Sequence, residues 1–121
     1  MPSYPNVEDV LCDLLDSIAY TDTWRDPERE LPFIIVRRVG GNEDGITDRP
    51  AVRVQVTADD YESAKNLMGA VRERILNAGC TSVNGVNIDV TREIVGGQQA
   101  PAFNPEDISV TSTFVLSFRK Q

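Results

Sequence analysis

The chain contains no histidine. Histidine is the commonest general base, a leading metal ligand and the side chain that ordinarily titrates near neutrality, so one absence removes three kinds of chemistry. Every histidine-dependent triad and every histidine-containing zinc site is excluded. Cysteine is scarce too: Cys12 and Cys80 are the only two, too few for a disulfide framework and suited to folding in a reducing cytoplasm. No apolar run approaches the ~20 residues of a membrane-spanning helix, and Met1 to Asn6 lacks the basic start and apolar stretch of a secretion signal. Nucleophile-elbow, phosphate-loop, C-x-x-C and dinucleotide-binding patterns are all missing. No catalytic residue, cofactor or metal is therefore expected.

What is present is one domain's worth of chain. The 121 residues are 40% hydrophobic and 26% charged, a globular composition with room for a single core spanning 1–121. The net charge of −7 opposes binding to nucleic acid as a whole. That charge is unevenly placed. Glu8, Asp9, Asp13, Asp16, Asp22, Asp26, Glu28 and Glu30 face only Arg25 and Arg29 within residues 1–32, while the remainder is nearly neutral. One end of the fold should carry a concentrated negative surface.

Asn6 is a good N-cap, and Val7, Val10, Leu11, Leu14, Leu15 and Ile18 follow as a single apolar stripe at helical spacing. Glu8, Asp9, Asp13 and Asp16 fall on the opposite side, the first of them where the helix dipole favours an acid. Residues 19–32 read as a long connection carrying the only tryptophan, Trp24. Phe33–Val39 and Ala51–Thr57 are strands, the second with Val52, Val54 and Val56 on one face. The residues between them, 40–50, read as a projecting loop, longer than the usual hairpin connection.

A second helix, capped by Asp59 or Asp60, runs to about Ala78, with Gly79 at its C-terminal turn. After an Asn84-Gly85 turn, Val86, Ile88, Val90, Arg92 and Ile94 alternate as a third strand. Residues 96–107 form a second projecting loop. Ile108, Val110, Ser112, Phe114, Leu116 and Phe118 then share one face of a closing strand. The order αββαββ predicts an α+β two-layer sandwich: a mostly antiparallel four-stranded sheet with both helices on one face.

Few residues suggest a site. Asp59 and Asp60 are explained by capping. The stretch from Asn42 to Asp48 lacks the alternating acids and terminal glutamate of a calcium loop. Arg37, Arg38, Arg49 and Arg53 lie in or beside two strands, as a phosphate-binding patch or, preferably, as a solvated sheet face balanced by acids. Trp24 and Phe103, both in polar connections, are core plugs or interface anchors.

One series carries a resemblance. Leu31 to Gly41, with its Phe33-Ile34-Ile35-Val36-Arg37-Arg38-Val39-Gly40-Gly41 strand, leads through an acidic loop to Thr47-Asp48-Arg49-Pro50 and the alternating strand to Val56. The helix from Tyr61 to Leu76 follows. This order resembles the tail terminator (neck) proteins of long-tailed siphophages of mycobacteria and related actinobacteria, over nearly the whole chain. The resemblance implies a structural virion protein of the tail and neck, not an enzyme, assembled in the host bacterial cytoplasm. It implies a ring, usually hexameric, that caps the head-proximal end of the tail tube, stops its polymerisation and joins the head–tail connector. Tail tube protein, connector protein and further copies of itself are the implied partners, with genomic DNA passing through an acid-lined channel without specific binding. Cyclic rings need two unlike patches per subunit. The interface residues expected on this reading are Trp24, Arg37, Arg38, Asn42, Glu43, Asp44, Asp48, Arg49 and Phe103. A head-completion protein of the neck is the alternative role, and a small dimeric ligand-binding module the alternative of another class.

Overall fold

The computed structural model describes residues 4–24, 30–43, 45–100 and 107–121, with backbone alone at 97–100. Helix α1 (Val7–Leu15) begins where Asn6 predicts it, since the Asn6 side chain accepts from the Glu8 amide (2.9 Å) and the Asp9 amide (3.4 Å). It ends before Ile18, because the Ile18 and Ala19 amides both turn back to the Leu15 carbonyl. The chain then enters a short strand, β1 (Tyr20–Asp22), inside what reads as connection in the sequence. Three residues are too few to show an alternating pattern.

Two long strands follow, β2 (Phe33–Glu43) and β3 (Thr47–Ala58). The expected 40–50 loop is thus mostly strand: pairing continues through Asn42↔Arg49 to Glu43↔Asp48. Gly41 makes this continuation possible. Its φ is +100°, and a Cβ there would collide with the Arg49 carbonyl and lie 2.7 Å from the Pro50 Cα.

Helix α2 (Tyr61–Leu76) is capped by Asp60, whose carboxylate accepts from the Ser63 amide at 2.7 Å. That bond holds the Asp60 carboxyl below its ordinary value. The helix ends two residues earlier than expected, and the left-handed residue after it is Cys80 (φ 62°) rather than Gly79. Asn84 and Gly85, both at positive φ, turn a small hairpin of β4 (Thr81–Val83) and β5 (Val86–Ile88). The last strands are β6 (Val90–Ala100) and β7 (Ile108–Arg119).

The sheet order is β1-β2-β3-β7-β6, with β1 parallel to β2 and the other pairs antiparallel; β4 and β5 form a separate two-stranded sheet. The sheet therefore has five strands rather than four. The expected third strand is divided at Asp89. Its amide donates to the Ser117 carbonyl, joining the large sheet, while its carbonyl accepts from the Cys80 amide, ending the small one. Side-chain direction changes across this switch: Ile88 is buried, but Val90 is 55% exposed. Register shifts on either side of Val95 then leave Ile94 exposed as well.

Both helices pack on one side. Val7, Val10, Leu11 and Leu15 of α1 and Ala64, Met68, Val71 and Ile75 of α2 share one core with Ile34, Val36, Val52, Val54, Val56, Phe114, Leu116 and Phe118 of the sheet. Phe114 and Phe118 are its largest wholly buried side chains, and each fully buried residue of this size contributes about 1.5–3 kcal/mol. Among the described residues, the opposite face of the sheet carries no helix.

Candidate interaction surfaces

The distal half of β2 and the start of β3 form a hairpin whose residues from Arg38 to Glu43 are all exposed. Its tip carries Gly45 (φ +86°) and Ile46, which is 71% exposed. The hairpin is tied down by charge. Arg38 donates from both terminal nitrogens to the two oxygens of Asp48, at 2.8 and 2.9 Å, and from Nε to the Gly40 carbonyl. Asp48 is buried, whereas the Arg38 side chain is 39% exposed. The Arg38 amide donates to the Glu8 carboxylate at 3.2 Å, connecting the hairpin to the first turn of α1. The bond to Asp48, with the nearby Glu43 and Glu8 charges, raises the Arg38 pKa against a smaller opposing effect of burial.

A second surface is the open sheet face. Arg37 and Arg53 stand opposite each other on β2 and β3, and Arg37 Nε donates to the Thr23 carbonyl at 3.1 Å. Trp24, 56% exposed, borders a groove of about 340 Å³ with Ile35, Arg37, Arg53 and Gln55. Pairing places Arg49 beside Asn42, Arg92 beside Val115 and Arg119 beside Thr47 on this same face.

The acids of the four long strands are on the other side. Glu43 is paired with Asp48 there, and Glu93 accepts from Arg72 of α2 at 3.0 Å. Among the described residues of these strands, no acid shares the arginine face. Arg38 is balanced by Asp48 as expected, whereas Arg37 and Arg53 face away from the acids of these strands.

The third surface is acidic. Asp9, Asp13 and Asp16 are exposed along α1, and Asp22 lies close by. Together with burial, which acts most strongly, these four charges push the Cys12 thiol up to about 11. The concentrated negative end expected from the sequence is thus the outer side of α1. An open cleft of about 770 Å³ lies at the β4–β5 hairpin, lined by Cys80, Asp89, Arg119 and their neighbours. Arg119 meets Asp89 across it at 3.3 Å. No group of three or more metal-ligating side chains occurs among the described residues.

The residues singled out from the sequence thus fall into three places. Trp24 and Arg37 meet on the open face. Arg38, Glu43 and Asp48 meet along the hairpin, with Glu43 paired to Asp48 next to the tip and Asn42 to Arg49 one pair further in. Asp44 and Phe103 lie outside the described residues. Arg53, Arg92 and Arg119 were not singled out as interface residues; the strand parity of Arg49 and Arg53, two pleats apart, is the signal that points to their common face.

The sequence matches no curated protein. Among solved structures, a chain from the virion of a native gene transfer agent particle superposes with a TM-score of 0.61 at 10% identity, over 91% of this chain and 84% of that one. At that identity the likeness is one of fold. The profile of the phage tail termination proteins matches residues 3–121, which carries the hairpin, both helices and every strand described above. The chain belongs to the phage tail termination protein family, structural components of the phage tail.

Proposed function

We propose that this protein assembles as a ring, a hexamer on the sequence resemblance, on the head-proximal end of the tail tube. There it stops addition of tube subunits and presents the surface that joins the head–tail connector. The observation that carries this reading is family membership over residues 3–121. A subunit that caps a tube needs contacts to its neighbours and to two further partners, and the exposed hairpin held by the Arg38–Asp48 pair is suited to one of them. Genomic DNA passes through the ring without specific binding, and the host is an actinobacterium, as the resemblance implies. Assembly takes place in the host cytoplasm.

Electron microscopy of a phage stock lacking this gene tests the proposal. Overlong or unbounded tails without heads are expected. Tails of normal length that fail to join heads would instead place the protein on the connector side, and intact virions would overturn both roles.

A further inference from the structure

Among the described residues of the four long strands, every acid lies on the helix side together with Arg38, and the remaining arginines lie opposite. Arg37, Arg49, Arg53, Arg92 and Arg119 all project from the open sheet face, and Ala51, Val115 and Val95 lie between them. A small apolar centre with arginines around it has the composition of a protein interface, where arginine is enriched. On the helix side, Asp9, Asp13 and Asp16 recur at i, i+4 and i+7 along one exposed edge of α1. They span about 10 Å at the rise of a helix. Arg49 and Arg53, four residues apart on one strand, span about 13 Å. The two arrays are therefore opposite in sign and approximately equal in length.

We infer that the arginine-bearing sheet face docks the acidic edge of α1 on a second copy of this chain. The inference rests on the ring reading above and names the contact that would build the ring. The two patches are unlike, so the contact is head-to-tail and can repeat around a closed ring. A polyanion would meet the same arginines, but it would approach a molecule of net charge −7, whereas a second copy brings its own complementary face. The same acids, after burial, help to raise the Cys12 thiol that lies beside them. Arg53 and Arg92 have no ion pair among the described residues and are available to answer it.

Sedimentation velocity on the full chain tests the contact, alone and with purified tail tubes, at low and high salt. The variants are Arg37→Glu with Arg53→Glu, Asp13→Arg with Asp16→Arg, and all four together. Each pair should weaken wild-type self-association by at least about tenfold, and salt should weaken it in the wild type. The four-fold variant, and an equimolar mixture of the two pairs, should recover it, because every contact again joins opposite charges. This recovery distinguishes lost docking from lost folding. Rings that form regardless of either pair would leave the ring standing and overturn the docking surface, as would failure of the four-fold variant to recover. A wild-type chain that forms no ring even on tubes would overturn the ring reading itself. Unchanged self-association with loss of binding to a labelled DNA duplex in the arginine variant would overturn the inference in favour of nucleic acid.

Discussion

Arg38 and Asp48 are unequal partners. The carboxylate is buried and the guanidinium can still reach water, so loss of the arginine strands a buried charge while loss of the acid frees an arginine to solvent. Arg38→Ala should therefore destabilise by more than Asp48→Asn, roughly 2–3 kcal/mol against 1–2. The double variant should cost less than the two combined. Urea denaturation of the four proteins measures this directly. The thiols offer a second test. Cys80 is exposed, while burial and four nearby acids push Cys12 up to about 11. At pH 8 iodoacetamide should label Cys80 well before Cys12, read by peptide mass spectrometry. Because the folded state holds the Cys12 proton above its unfolded value of 9.0, this thiol contributes stability that is present below pH 9. That contribution is lost as pH rises towards 11, and Cys12→Ala should remove it.

Among the elements, the hairpin of β2 and β3 depends on one backbone position. Gly41 sits at φ +100° with the Arg49 and Pro50 backbone against it, so Gly41→Ala combines an unfavourable conformation with a backbone collision. A loss of about 2 kcal/mol or more is expected, read as a lower thermal midpoint. The glycine pair Gly40-Gly41 reads in the sequence as the start of a loop, and that reading fails for a physical reason. Glycine serves equally in turns and where two strands crowd together, and only the facing strand shows which applies. The division at Asp89 was equally hidden. Val86 to Ile94 has an unbroken alternation, but which of two sheets receives each amide is settled by Ser117 and Cys80, distant in sequence. By contrast, the caps at Asn6 and Asp60, the apolar stripe of α1 and the Asn84-Gly85 turn were readable, because their causes lie within a few residues.

At the scale of the whole molecule, composition sets the response to pH. With no histidine, no side chain of ordinary pKa changes charge between pH 6 and 8. Urea midpoints at pH 6, 7 and 8 should agree closely, and a marked slope across that range would contradict this. The sequence by itself determined the absence of histidine chemistry, the α+β class, the apolar faces that become the core and the acidic edge of α1. Each follows from composition or from spacing along a single element. Tertiary structure alone decided the fifth strand, the hairpin built from an apparent loop, and the pairing of Arg38 with Asp48. It also decided that Arg37, Arg53 and Arg92 share one open face while the acids of the four long strands take the other. These outcomes depend on which strand lies beside which and in what register, a relation between distant residues that no local pattern encodes.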